Sequence, residues 1–85
     1  MILEWTLRFR RAYQKLSPEQ QQRVNAALDR LVTDMRHPSL RVKKLQGTEI
    51  WSARASDELR LTFEPITGGI RLRIVGHHDA TLRLP

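Results

Sequence analysis

The densest chemistry in this chain lies in the segment "RLRIVGHHDA", Arg71 to Ala80, where two arginines on a short apolar run precede a glycine, two histidines and an aspartate. Adjacent imidazoles beside a carboxylate can ligate a metal, transfer protons, or simply end a strand. Guanidinium groups recur at Arg54 and Arg60, and Lys43 and Lys44 stand just upstream. The planar fork of arginine matches phosphate oxygens two at a time. A neutral imidazole at His77 or His78 can accept the proton of a ribose hydroxyl. Arginines nearby can hold the extra negative charge of a phosphorane-like transition state. These are the parts of a metal-free ribonuclease site. The plainer alternative packs one histidine under the fold and leaves the other on the surface.

A metal site fits the pattern less well. A regular strand through His77 and His78 points them to opposite faces. Zinc usually needs three or four convergent ligands, and the chain has no HxH, no HExxH and no cysteine. Neither a metal nor another cofactor is expected.

The composition sets the frame. Eighty-five residues with net charge +6, the cations being 12 arginines and 3 lysines, suit one small basic domain, residues 1–85. The charge is what a nucleic-acid binder needs, and equally what an acidic protein partner would meet. Nothing approaches the roughly 20 apolar residues of a membrane span. "MILEWTLRFRR" has too short an apolar patch and no small-residue cleavage site for a signal peptide. A soluble, intracellular protein is the expectation.

The elements that must position these groups are legible. Trp5, Phe9, Ala12, Tyr13 and Leu16 repeat at helical spacing and predict a helix from about Thr6 to Lys15, behind a brief strand in "ILEW". "SPEQ" then opens a second helix, with Ser17 as cap, Pro18 at the first position and Gln20 closing a capping box. Its apolar stripe is Val24, Ala27, Leu28, Leu31, Val32 and Met35, and Pro38 is expected to stop it, with His37 a loop residue. From Ile50 the period becomes two. "IWSARAS", "LRLTFE" and "IRLRIVG" predict a three-stranded antiparallel meander with an apolar face under the helical hairpin and a basic face outside.

Side-chain faces also predict register, because directly opposed residues share a face. Trp51, Ala53 and Ala55 should oppose Phe63, Leu61 and Leu59, which sets Arg54 opposite Arg60. The same reasoning sets Leu61 opposite Leu72 and Arg60 opposite Arg73. Arg54, Arg60 and Arg73 then cross the open face side by side, with Arg71 one step along and His77 beside it. Such a row is destabilising unless an anion sits on it or Glu64, Asp57 or Asp79 neutralises it. A phosphate-binding face is the reading taken here.

"KLQGTEIWSARASDELRLTF" followed by "IVGHHD" resembles the RelE/ParE toxin superfamily, and its RelE-like branch in particular. Relatives commonly show a K-L-x-G segment, an I/W strand, an "xxRL/V" strand and a "VGHHD"-like end. The resemblance spans nearly the whole chain. It implies an α+β fold: a short N-terminal strand and a helical hairpin packed on a small antiparallel sheet. It implies a cytoplasmic bacterial toxin of a type II toxin–antitoxin system, held by a cognate antitoxin. RelE-like members enter the ribosomal A site and cut mRNA without metal, the ribose 2′-hydroxyl attacking the adjacent phosphate. Carried over, Arg60 matches the arginine that stabilises the phosphate. His78 falls near a further catalytic basic residue, with His77 the alternative acid/base from the residues themselves, and Lys43 and Lys44 fall near lysines that contact RNA or the ribosome in some members. Arg54, Arg71 and Arg73 join as phosphate binders from their predicted register rather than from the resemblance. The tail "TLRLP" departs from the pattern: it lacks the aromatic or histidine of many active members and offers no final helix. ParE-like members share the fold and inhibit DNA gyrase by binding it, and a non-toxic binding module of this fold is the third alternative.

Overall fold

A computed structural model describes residues 1–85. Strand β1 (Ile2–Trp5) leads into helix α1 (Leu7–Gln14) and helix α2 (Pro18–Thr33). A 3₁₀ turn at Pro38–Leu40 precedes β2 (Lys43–Lys44), β3 (Trp51–Arg54), β4 (Leu59–Ile66) and β5 (Gly69–His77), and helix α3 (His78–Arg83) follows. The architecture is the α+β arrangement expected.

The helices begin where capping chemistry dictates. Thr6 Oγ1 accepts from the Phe9 N–H at 3.1 Å and donates to the Leu72 carbonyl at 2.7 Å, so the cap of α1 is fastened to β5. Ser17 and Gln20 form the full capping box at the start of α2. Tyr13 donates to Asn25 Oδ1 at 2.8 Å and joins the two helices. Pro38 does not stop α2, which ends at Thr33; the proline instead opens the 3₁₀ turn, and His37 caps it by accepting from the Ser39 N–H. Val32, expected on the apolar stripe, is largely exposed.

The sheet has five strands rather than three, in the order β1-β5-β4-β3-β2, with β1 parallel to β5 and the other neighbours antiparallel. Lys43 and Lys44, expected only upstream of the sheet, are thus its edge strand. Phe9, Val24, Leu31, Leu61, Phe63 and Leu72 are fully buried between the helices and one sheet face. Trp5 closes this core with edge-to-face contacts to Phe9 and Tyr13 at 4.9 and 5.1 Å. Burial of this apolar layer is the main term that holds so short a chain folded. The expectation of no final helix fails: α3 packs on β4 and β5, with Thr81 buried beside Gly76. Beyond α3, the Pro85 carbonyl accepts from Thr62 Oγ1 at 2.9 Å and Arg73 Nε at 3.1 Å. No helix is long and apolar enough to cross a membrane.

Candidate nucleic-acid interface

The β3–β4 ladder has the predicted register: Trp51 faces Phe63, Ala53 faces Leu61 and Arg54 faces Arg60. The β4–β5 ladder does not. Leu61 faces Val75 rather than Leu72, and Arg60 faces Gly76 rather than Arg73. Two local features account for the shift. The turn closes on Thr67 and Gly68, one residue later than the expected pairing requires, because Gly68 can take φ of +80° where other residues are strained. A bulge between Thr62 and Phe63 then leaves Arg73 as the extra residue of β5, without a partner in the ladder.

The arginine row therefore divides. Arg71 faces Glu4 on β1 and Glu64 on β4 and pairs with both, the Glu64 contact at 3.3 Å. Arg73 pairs with Glu64 at 3.0 Å and holds the Pro85 carbonyl. Hydrogen bonds from Arg71 to Glu4 and then to Glu64 hold its pKa above the ordinary arginine value. This pair of cations is already matched by two carboxylates and is no free phosphate site.

Arg54 and Arg60 are different. Arg54 pairs with Asp57, in the loop between β3 and β4. Arg60 donates from Nη1 to the carbonyls of Ser56 at 2.7 Å and Leu59 at 3.1 Å. Burial, then the charges of Arg54 and Arg41, push the Arg60 pKa below its ordinary value, against the pull of Asp57. Arg41 is thus a third cation of this corner, which sequence reading missed. It lies outside the strands, at the end of the 3₁₀ turn, in the left-handed region with φ of 44°. Its only sequence signal was its place two residues before Lys43. Lys43 faces Ser52 across the β2–β3 ladder, two residues along β3 from Arg54, and Lys44 pairs with Glu49 at 3.7 Å. Arg41, Arg54 and Arg60 share one carboxylate, so this corner keeps an excess of positive charge, whereas Arg71 and Arg73 are themselves matched by Glu4 and Glu64.

The bulge also moves the histidines. It reverses the alternation, so His77 faces Leu59 instead of standing on the basic face beside Arg71. It follows Gly76, the residue opposite Arg60, and is exposed. His78 is the first residue of α3, and its backbone N–H donates to the Glu58 carbonyl at 2.9 Å. Because strand gives way to helix here, the ligand atoms of His77, His78 and Asp79 come within 4.8 Å of one another, against the expectation that they diverge. The donor set still suits a metal poorly. His78 Nε2 lies 3.0 Å from Asp79 Oδ1, and its Nδ1 is buried without a partner. A metal on Nε2 would force the ring proton onto that dry nitrogen, where ligating histidines normally need an acceptor. One ring nitrogen of His78 is thus engaged by Asp79 and the other is covered, while His77 is the exposed imidazole.

No protein-family model and no curated protein matches the chain. Solved structures do. A YoeB/ParE toxin from Agrobacterium tumefaciens superposes with a TM-score of 0.76 at 20% identity, over 92% of this chain and 99% of that one. YafQ from E. coli gives 0.77 at 12% identity, over 93% and 94%. A chain of the RelB–RelE antitoxin–toxin complex from Methanococcus jannaschii gives 0.74 at 15% identity, over 96% and 99%. The chain has the RelE-like toxin fold. A shared fold fixes the scaffold and leaves the activity to be argued from the residues it carries. On this RelE-like scaffold the free cations cluster at the β3–β4 end of the open face, with His77 at the adjoining end of β5.

Proposed function

We propose that this protein is the toxin of a type II toxin–antitoxin pair and acts as an endoribonuclease on mRNA. The observation that carries the reading is the corner of Arg41, Arg54 and Arg60 with Asp57 as its one counter-ion, on a RelE-like fold. Arg54 and Arg60 grip the scissile phosphate, and Arg60 stabilises the charge that builds on its oxygens. His77, exposed at the last residue of β5 and next to Gly76 opposite Arg60, is the base of this reading: reaching round the strand end from the Leu59 side, it takes the proton of the ribose 2′-hydroxyl as that oxygen attacks phosphorus. The 5′-oxygen leaves and takes a proton from water, giving a 2′,3′-cyclic phosphate and a free 5′-hydroxyl. Lys43 adds attraction for the strand at the edge of the same face. The ribosome supplies the mRNA in this reading, and an antitoxin segment of acidic character covers the basic corner. Several solved structures with this fold are antitoxin–toxin complexes, which supports a protein partner.

A second reading is a toxin that binds its target, such as DNA gyrase, without cutting RNA. The Asp79 contact of His78 Nε2 and its covered Nδ1 favour it, because they leave His78 with no ring nitrogen facing an RNA strand. Induced expression in a bacterial host, with primer extension on abundant mRNAs, separates the two. The ribonuclease reading expects cuts inside translated regions that vanish in Arg60→Ala and are weakened in Arg60→Lys. Growth arrest with intact mRNA would overturn it.

A further inference from the structure

The loop between β3 and β4 is clamped by the two arginines that flank it. Arg54 holds the Asp57 carboxylate, while Arg60 holds the Ser56 carbonyl at 2.7 Å and the Asp57 carbonyl at 3.4 Å. The Asp57 side chain is 93% exposed, whereas that of Arg54 is 25% exposed. A tethered, solvent-facing anion thus reaches onto a mostly covered cation. Glu58, the next residue, makes no ion pair. The Asp57 carboxyl is held below its ordinary value chiefly by the Arg54 hydrogen bond and charge, with Arg41 and Arg60 adding to the effect. One exposed carboxylate thus answers three cations, Arg54 by contact and Arg41 and Arg60 through their charge.

We propose that the Asp57 carboxylate is a built-in stand-in for an RNA phosphodiester: it rests on Arg54 in the free protein and is displaced when the RNA backbone takes its place. The inference rests on the RNA reading given above. Carboxylate and phosphodiester both offer anionic oxygens that accept from a guanidinium fork, so one can replace the other without rebuilding the site. The stand-in has a reason to exist. Arg54 and Arg60 are directly opposed like charges, and a nearby anion relieves their repulsion until substrate arrives. Displacement is cheap because the Asp57 side of the pair is already almost wholly in water, and a surface ion pair contributes little on its own. Asp57 also sets a threshold: a small anion must compete with a tethered one, while a polyanionic strand brings further contacts to Lys43 and Arg41.

The test is the affinity of the whole chain for a labelled single-stranded RNA made uncleavable by 2′-O-methyl groups, read by fluorescence anisotropy. Asp57→Asn removes the competitor and should bind about threefold tighter than wild type, the range an exposed ion pair commands. Glu58→Gln makes the same change in net charge one residue away and should shift affinity less. Asp57→Asn placed on an Arg54→Ala background should lose its advantage. Equal gains from Asp57→Asn and Glu58→Gln would reduce the effect to overall charge and overturn the proposal. So would an Asp57→Asn protein that binds no better than wild type while both bind RNA, and in that case the RNA reading stands alone. Failure of every variant to bind RNA would sink both. Because the probe cannot be cut, loss of the cleavage reading alone leaves the expected order of affinities unchanged.

Discussion

Arg60 and Arg71 lie on the same sheet face, yet the structure predicts opposite consequences when each is replaced by alanine. Arg60 belongs to the corner where three arginines share Asp57, and Arg71 is saturated by Glu4 and Glu64. A hydrogen bond to a charged partner contributes about 1.5–3 kcal/mol. Loss of one Arg60–phosphate contact should therefore weaken RNA binding by roughly 10- to 150-fold. Removing one phosphate contact should also flatten the plot of log affinity against log salt by about 0.7 for a single strand. The fold should tolerate the change. Arg60 loses its bonds to loop carbonyls, but burial and the charges of Arg54 and Arg41 disfavour its charged form, so the two effects oppose. Net stability should move by no more than about 1 kcal/mol, or roughly 4–8 °C in Tm. Arg71→Ala should do the reverse: its Tm falls because Glu4 and Glu64 lose their common partner, while the salt slope stays at the wild-type value. Anisotropy titrations over a salt series, paired with thermal melts, measure both quantities. If Arg71→Ala flattens the salt slope as much as Arg60→Ala, the division of the arginines into matched and free groups is wrong.

Gly69→Ala should unseat β1, since a Cβ at Gly69 would stand 1.9 Å from the Ile2 carbonyl oxygen, and that neighbour is backbone and cannot rotate away. Overpacking of this kind costs about 1–3 kcal/mol, so a thermal melt should fall by roughly 4–24 °C, and an unchanged melting temperature would mean that β1 does not pair there. Asp57 predicts a pH dependence. Its folded pKa lies below the 3.8 of the free side chain, so its contribution is complete above that value and is lost as pH falls through the lowered folded one. Wild type should be more stable than Asp57→Asn at neutral pH, by a margin that narrows below pH 3.8; a constant margin in melts taken across that range would show that the Arg54–Asp57 pair is not formed.

Much of the scaffold was legible because its signals are local. Ser17, Pro18 and Gln20 announce α2 by capping chemistry alone, and the switch to period two after Ile50 announces the sheet. The β3–β4 register was legible too, since a short loop leaves few choices. β2 and the parallel pairing of β1 were not, because two-residue and four-residue strands carry no readable period and depend on partners distant in sequence. Arg41 was missed for a related reason: a residue in a left-handed turn conformation has no strand face from which its direction can be inferred. The final helix was missed because "HDATLR" is too short for helical periodicity to show, and it is held by contacts of Thr81 and by the bonds of Thr62 and Arg73 to Pro85.

The β4–β5 error has a more specific cause. Alternation of apolar and polar faces fixes only the parity of an antiparallel register, and registers two residues apart satisfy it equally near the turn. Charge is what distinguishes them. The register in which Leu61 opposes Leu72 would set Arg71 opposite Thr62 and leave Glu64 opposite Gly69. The observed one sets Arg71 opposite Glu64, with Glu4 on its other side, and the bulged Arg73 reaches the same carboxylate. Cross-strand opposite charges contribute, and like charges oppose pairing, by comparable amounts. The observed register collects two favourable pairs and avoids setting Arg60 against Arg73. It also sets Arg60 against Gly76, which brings no side chain of its own. The step that matches Arg71 and Arg73 with acids is thus the step that leaves Arg54 and Arg60 short of them. In this chain the placement of two glutamates, Glu4 and Glu64, decides which arginines remain available to a phosphate.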